Sequence, residues 1–280
     1  MLHLIEHTLQ DTAILLPVLF LTYLVMEYLE HSAGDKTQKL IQKAGLAGPA
    51  FGGVLGAVPQ CGFSAAAANL YAGRVITLGT LIAIFLSTSD EMLPIMISQK
   101  VSWKVIGGIL FLKALIGMAV GIVVDVILRK KGMQEEVHIH EMCEHEHCHC
   151  EQGYFRSALR HTVRIYLFVL IATFLINLLL YYIGEDSLEN IILNHVVMGP
   201  LLAGAVGLIP NCAGSVVITS LYLEKAMSFG AAMAGLLTSS GVGLLVLFRV
   251  NHHRKENMKV LGLVYGISVF AGILLSIILK

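Results

Sequence analysis

The residues best suited to chemistry are two similar triplets, Pro59-Gln60-Cys61 and Pro210-Asn211-Cys212, each with a serine three positions after its cysteine. A thiolate, an amide oxygen and free backbone carbonyls form a mixed donor set that suits a transition metal or a trivalent metalloid. A buried cysteine can also be a small apolar residue, and an amide can cap a helix. Because the triplets interrupt two apolar segments, we predict a substrate site lined by Gln60, Cys61, Ser64, Asn211, Cys212 and Ser215.

A second group is the segment Ser87-Thr88-Ser89-Asp90-Glu91, which lies inside an apolar run. An ionised carboxylate at the centre of a membrane helix costs roughly 2.5–3.5 kcal/mol, so two adjacent ones are not expected to face lipid. The related segment 238–242 keeps hydroxyls but has no acid. We predict that Asp90 and Glu91 bind a cation, carry protons, or do both in turn, with Ser89 and Ser240 at the same site. The alternative is an N-cap where a broken helix restarts.

Lys113 lies near the middle of another apolar run. A buried ammonium favours a carboxylate partner, and Asp90 or Glu91 is the predicted one. The pair is either a structural salt bridge or a charge that replaces the cargo when the site is empty, and we assign Lys113 to coupling with these two acids. The other acids within apolar runs lie nearer the ends and are expected to be solvated: Glu27, Glu30 and Asp125.

A tract rich in His, Cys and Glu fills residues 130–151. Its spacing does not match a closed zinc finger, so it is interpreted as a flexible segment that binds soft or borderline divalent metals. The alternative is a disordered polar linker with incidental affinity. Its candidate accessory ligands are His138, His140, Cys143, His145, His147, Cys148, His149 and Cys150.

The composition decides the solvent of this chain. Of 280 residues, 56% are hydrophobic and 14% charged, with 19 basic and 19 acidic residues. About a quarter of the residues of a soluble domain are charged, so a lipid bilayer is the expected surrounding. The zero net charge excludes an electrostatic nucleic-acid binder. The first residues contain no basic cluster and no small-residue cleavage site, so a removable signal peptide is not expected.

Six runs are long and apolar enough to span a hydrocarbon core of about 30 Å. Two further stretches, 45–73 and 196–224, are rich in Gly and Ala and carry the two triplets. Proline removes a backbone donor, so each of these stretches is predicted to form a broken or re-entrant helical hairpin. The predicted spans are 13–33, 75–98, 104–128, 162–183, 226–248 and 258–279.

Pro59 and Pro210 are 151 residues apart, and the same offset aligns Gly48-Pro49 with Gly199-Pro200 and Leu70-Tyr71 with Leu221-Tyr222. We interpret this as a duplication: 1–129 is the first membrane repeat, 130–151 the linker, and 152–280 the second repeat.

Charge predicts how the repeats are oriented. The loop after the first span holds three lysines, between residues 36 and 43, whereas its counterpart between residues 185 and 189 holds three acids. Cytoplasmic loops are enriched in Lys and Arg, so the repeats are predicted to be inverted, with 130–160 cytoplasmic and both termini outside a cell membrane. The predicted fold is an all-α membrane protein in which each repeat has three spans and one hairpin, about ten helical segments in all. A homodimer is possible.

Four strings carry a family resemblance: Pro59–Ser64, Ser87–Pro94, Ile209–Ala213 and 241–251. They resemble the ten-transmembrane heavy-metal exporter family, which is distantly similar to arsenic permeases and whose members are labelled arsenic efflux proteins or manganese transporters. The resemblance covers both halves and excludes the linker. It implies metal export, and it points to Gln60, Cys61, Asp90, Glu91, Asn211 and Cys212.

The predicted function is secondary-active export of a divalent transition metal, manganese or another heavy metal, by alternating access with protons as the expected coupling ion. The predicted metal ligands are Cys61, Asp90, Glu91 and Cys212. The chain has no Walker phosphate-binding string, and no cofactor is expected besides the transported ion. An arsenite or organoarsenical permease is the alternative, although a neutral arsenical gains little from the acids. A cysteine-dependent enzyme needs a nearby base, usually His, and every His lies at a span end, in a loop or in the linker, so we expect no enzyme. A metal sensor is supported only by the linker.

Overall fold

The computed structural model describes residues 16–17, 20–21, 23–24, 47–57, 61–89, 92–130, 154–183, 195–210 and 212–278. All regular structure in these ranges is helical. The first half contains helices α1 (Gly48–Gly56), α2 (Cys61–Ala72), α3 (Leu78–Ser87), α4 (Met92–Ser98) and α5 (Trp103–Lys130). They are followed by α6 (Tyr154–Ile183), α7 (Met198–Gly207), α8 (Cys212–Leu223), α9 (Phe229–Thr238), α10 (Gly243–Val250) and α11 (Arg254–Ile278).

Four helical segments in the described part of the chain are long and apolar enough to cross a membrane: Leu78–Ser98, Trp103–Lys130, Phe229–Val250 and Arg254–Ile278. They confirm the predicted spans at 75–98, 104–128, 226–248 and 258–279. Helix α6 covers the predicted span 162–183, and most of the first predicted span lies outside the described residues. The chain is a helical, multi-pass membrane protein, as its composition predicted.

Two of these spans are interrupted, although both were predicted as single runs, with a helix that restarts near Asp90 only as the alternative in the first. The chain leaves α3 at Thr88 with an extended backbone, at ψ 129°, and α4 begins only at Met92. Pro94 lies in the first turn of α4, where its missing N–H costs no hydrogen bond, whereas in a continuous helix its ring would clash with the preceding turn. In the second half the chain leaves α9 at Ser239 and passes through Gly241, which has a positive φ of 55°. Each run is therefore two helices that meet at a break.

The two predicted hairpins also consist of paired short helices. Helix α1 ends just before the first triplet, and α2 begins at its cysteine, Cys61. Helix α7 ends just before the second triplet, and α8 begins at Cys212. The predicted breaks at the two triplets are confirmed by these helix boundaries.

The helices follow the offset found in the sequence. Helices α2, α3, α4 and α5 begin 151 residues before α8, α9, α10 and α11. The N-caps of α3 and α9 match as well, since Thr77 accepts from the Thr80 N–H and Ser228 accepts from the Ala231 N–H. The division of the chain into 1–129, 130–151 and 152–280 stays a prediction, and residues 131–151 lie outside the described part.

Packing joins the halves through their broken elements. Helices α1, α3 and α5 pack together, as do α7, α9 and α11. Across the molecule α2 packs against α10, α8 against α4, and α3 against α9. The segments made by α3 with α4 and by α9 with α10 are largely buried, whereas α5 and α11 expose most of their apolar surface. The broken helices therefore form the interior, and α5 and α11 form part of the lipid-facing surface.

Glycine permits the closest helix contacts. A Cβ atom added at Gly79 would overlap the carbonyl oxygen of Gly121, and one at Gly230 would overlap that of Gly272. These two pairs are equivalent in the two halves and join α3 to α5 and α9 to α11. Small residues allow membrane helices to approach at backbone distance, where van der Waals packing is strongest.

Candidate functional site

The two helix breaks are lined by buried hydroxyl groups. Three follow one another in each half: Ser87, Thr88 and Ser89, and Thr238, Ser239 and Ser240. Several bond back to the preceding helical turn: Ser87 donates to the Ala83 carbonyl at 2.7 Å, and Thr238 donates to that of Ala234 at 2.8 Å. Such bonds satisfy the hydroxyls locally and favour a bent or ended helix. The breaks are thus polar points inside an apolar interior.

The first break contacts the end of the first hairpin helix. Ser89 Oγ donates to the carbonyl oxygen of Ala57 at 2.7 Å, and Ala57 is the C-cap of α1. Gly56 lies directly against Ser87 and Ile84, so a side chain there would overlap α3. The predicted site residue Ser89 is therefore brought next to the first hairpin.

The second break contacts the first hairpin from the other half. A Cβ atom added at Gly243, the first residue of α10, would lie 2.8 Å from the Cβ of Ser64 and 3.0 Å from its carbonyl oxygen. Ser64 and its counterpart Ser215 are both buried. The hairpin helix α2 thus joins the second break, while the end of α1 joins the first.

Two hydroxyls at the second break have no hydrogen-bond partner among the described residues. The Oγ atoms of Ser239 and Ser240 are buried and accept or donate no hydrogen bond within the part of the chain that the structure describes. Buried polar groups are nearly always paired, so each exception requires an explanation such as a bound ion or water. Ser240 was a predicted site residue, whereas Ser239 was not singled out.

Lys113 lies between the two breaks. It is 1% exposed, and its Nζ donates to the carbonyl of Thr88, at the end of α3, and to that of Leu236, in the last turn of α9, the latter at 2.7 Å. Sequence reasoning expected a carboxylate, Asp90 or Glu91, and both lie outside the described residues. The predicted pairing stays a prediction, and the two carbonyl partners are new.

Asp125 corrects one expectation. It was expected to be solvated, but it is buried, and it accepts from Thr77 Oγ1 at 2.6 Å and from the Gly79 N–H at 2.8 Å. The N–H groups at the start of a helix have no partner within it, and the helix dipole favours a negative charge there. Asp125 therefore caps α3 and has a structural role.

An ion pair missed by the sequence analysis joins the halves. Arg74 Nη2 lies 2.8 Å from Glu256 Oε2, which connects the turn after α2 to the first turn of α11. The guanidinium group of Arg74 also lies over the ring of Tyr71. The backbone of Arg74 is left-handed, with a φ of 57°. The pair spans 182 positions of sequence, a separation that no local motif indicates.

Several predicted site residues are not placed. Cys61 and Cys212 begin helices, but their side chains lie outside the described part of the structure. Among the described residues no group of three or more His, Cys, Asp or Glu could hold a metal. The metal-ligand set thus stays a prediction. The predicted site residues without a described position are Gln60, Asp90, Glu91, Asn211 and the ligands of the 130–151 tract.

Comparison with known proteins identifies the family. Neither the search of curated proteins nor that of solved structures finds a significant match. A family model for proposed ten-transmembrane heavy-metal exporters matches residues 4–185, well over half of the chain. The match takes in the His/Cys tract and stops at the end of α6, so its extent differs from the resemblance over both halves without the linker. The chain belongs to this family of ten-transmembrane heavy-metal exporters.

Proposed function

We propose that this protein is a secondary-active exporter of a divalent transition metal ion that works by alternating access. The observation that carries the proposal is the pair of broken helices, α3 with α4 and α9 with α10, which start at equivalent positions and meet in the interior. Its substrate site lies between these breaks and the two hairpin triplets. Cys61, Asp90, Glu91 and Cys212 supply metal ligands, and the two acids also carry the coupling protons.

Membrane physics supports a pathway at the breaks. A break frees backbone N–H and C=O groups, and in a bilayer these are tolerated only where they line a cavity or are buried in protein. Discontinuous helices near the midplane, in two related halves, are the recurring plan of secondary transporters. The buried hydroxyls of Ser89 and Ser240 extend this polar zone.

The Arg74–Glu256 pair supports the inverted orientation of the halves. Helices α9 and α10 together are long enough to cross the membrane, so the turn before α9 and the turn after α10 lie on opposite sides. If the halves had the same orientation, Arg74 would lie on the side of the turn before α9, away from Glu256. In an inverted pair both residues lie on one side, which their 2.8 Å contact requires.

The orientation is tested by labelling single cysteines in a variant whose native cysteines are serine. Exposed positions are available in three turns: Lys100, Lys225 and His253. Because the halves are inverted, Lys100→Cys and Lys225→Cys should react with a membrane-impermeant maleimide in intact cells, and His253→Cys only after permeabilisation. Reaction of Lys100→Cys and His253→Cys from the same side, with Lys225→Cys on the other, would contradict the inverted arrangement.

The choice of ion rests on the donor chemistry. Carboxylates, hydroxyls and carbonyls suit Mn²⁺, whereas thiols suit Zn²⁺, softer ions and trivalent arsenic. The oxygen donors at the breaks and the two predicted acids favour a divalent cation. The cytoplasmic His/Cys tract would collect metal before export.

A growth test separates the candidate ions. Cells that express the chain and lack their own exporters should tolerate more Mn²⁺, or another of Zn²⁺, Fe²⁺ and Co²⁺, than cells with the empty vector, because export lowers the internal metal. Cells that express Asp90→Asn at the same level should behave as the vector control. Tolerance to arsenite alone would contradict divalent-metal export and favour the arsenical permease.

A further inference from the structure

The ends of two broken helices meet at one side chain. Lys113 Nζ, on α5, donates to the carbonyl oxygens of Thr88 and Leu236, which belong to α3 and α9. Lys113 thus contacts one broken helix from each half. An ammonium group has three donors and no acceptor, so it fits a place lined by carbonyl oxygens.

The position of these carbonyls gives them an affinity for cations. The last carbonyls of a helix have no partner within it, and the helix dipole places partial negative charge there. The Thr88 carbonyl lies just beyond the last residue of α3, and the Leu236 carbonyl lies in the last turn of α9. Two such ends facing one another attract a positive charge more strongly than either does alone.

A second observation, at the end of the same helix α9, indicates a ligand nearby. Ser239 and Ser240 follow α9 directly, and their buried hydroxyls are unpaired within the described residues. Hydroxyl and carbonyl oxygens together are the donors that hard cations prefer. The end of α9 therefore carries two hydroxyl oxygens, those of Ser239 and Ser240, that could bind a cation and that no hydrogen bond among the described residues uses.

Lys113 has no lysine counterpart in the second half, although the helices around it do have counterparts there. The position equivalent to Lys113 in α11 is Val264, which is buried and apolar. The shared packing of α3 with α5 and of α9 with α11 thus does not require a lysine. A charge present in only one half is suited to a role in the pathway between them.

We propose that the carbonyls of Thr88 and Leu236 form a cation site that Lys113 occupies in this conformation, and that a free cation with a preference for oxygen competes with Lys113 for it. The inference rests on the proposed function for the identity of that cation as the transported metal, and Na⁺ is the other oxygen-preferring cation that the test distinguishes from it. Lys113 then releases the carbonyls when the cation binds and returns when it leaves, so one positive charge is always present between the breaks.

Cation binding to the purified full-length protein tests the competition. The loss of the free Mn²⁺ signal in electron paramagnetic resonance measures Mn²⁺ binding, and the rise in Tm with NaCl, against choline chloride, measures Na⁺ binding. Lys113→Gln keeps a donor for the carbonyls but removes the charge, so it should bind one or both cations roughly tenfold more tightly than wild type. Lys113→Arg keeps the charge and should resemble wild type, as should Val264→Ala.

A measurement on the wild-type protein covers the case in which Lys113→Gln does not fold. If a cation displaces Lys113, its ammonium group becomes available to a membrane-permeant, amine-reactive reagent. Modification of Lys113, measured by mass spectrometry, should then rise severalfold with Mn²⁺ or Na⁺ relative to modification of the exposed Lys104. If neither Mn²⁺ nor Na⁺ changes the modification of Lys113, the proposal is overturned.

The outcomes separate this site from the proposed function. Equal Mn²⁺ binding by wild type, Lys113→Gln and Lys113→Arg, without a Na⁺ difference, would leave the metal site standing and overturn the role of Lys113. Tighter Na⁺ binding by Lys113→Gln with no Mn²⁺ binding by any variant would support the cation site and contradict Mn²⁺ as the substrate.

Discussion

Asp90→Asn is expected to reduce metal transport by about two orders of magnitude or more, since even the outer-shell partners of a bound metal are worth about 10–100-fold. The substitution keeps the size and a polar group but removes the negative charge that a divalent cation and a coupling proton both require. In sequence Asp90 directly follows Ser87, Thr88 and Ser89, whose side chains are buried at the end of α3, and it precedes the start of α4 by two residues. Flux per folded protein in proteoliposomes measures the effect.

Asp125→Asn is the matched control, because it removes a carboxylate from the same half at a buried structural position. Its lost helix cap should lower Tm, while flux per folded protein stays near the wild-type value. Equal transport by both variants, corrected for folded protein, would contradict a role of Asp90 in transport.

Gly121→Val is expected to prevent stable folding. A Cβ atom at Gly121 would lie 2.5 Å from the Gly79 carbonyl oxygen and 2.9 Å from both Ala83 and Pro49. Backbone atoms cannot move aside as a flexible side chain can, so α3 and α5 would have to separate. Overpacking costs typically 1–3 kcal/mol, and backbone overlap should exceed about 3 kcal/mol here. The yield of monodisperse protein in detergent and its Tm measure the loss.

Gly108→Val provides the control on the same helix. A side chain at Gly108 meets nothing within 4 Å, and the change in helix propensity is identical. This variant should fold with a Tm close to that of wild type. The same contrast is expected in the second half between Gly272→Val, at the tight contact with Gly230, and Gly266→Val, in open space. If all four variants lost stability equally, close helix packing would not be the reason for these glycines.

The helical class, the hairpin breaks and the 151-residue offset could be predicted because Pro and Gly act locally and apolar runs reveal spans. The break between α3 and α4 was only the alternative interpretation of the sequence, because average hydropathy does not register a helix end. Its local signals were Pro94 and the hydroxyl run before it, whose Ser87 and Thr88 donate to carbonyl oxygens of the preceding turn, at Ala83 and Ile84. The alternative that Asp90 lies where a broken helix restarts agrees with α4 beginning at Met92.

The roles of Lys113 and Asp125 could not be obtained from spacing. The partners of Lys113 are backbone carbonyls, which every residue carries, and one of them is 123 positions away. Asp125 was assigned to solvent because it lies near the end of its run, yet its capping partners belong to the start of α3. In both cases the deciding fact is which helices are neighbours, and that is a property of the packed structure.

Metal flux by the purified chain shows whether this protein exports a divalent metal. The full-length protein is sealed into liposomes with a metal-sensitive dye inside, and Mn²⁺, Zn²⁺, Co²⁺ or arsenite is added outside with and without a pH gradient. We expect flux of at least one divalent metal that responds to the pH gradient and is absent in Asp90→Asn. Folded wild-type protein that moves none of the divalent metals under any gradient would contradict divalent-metal export.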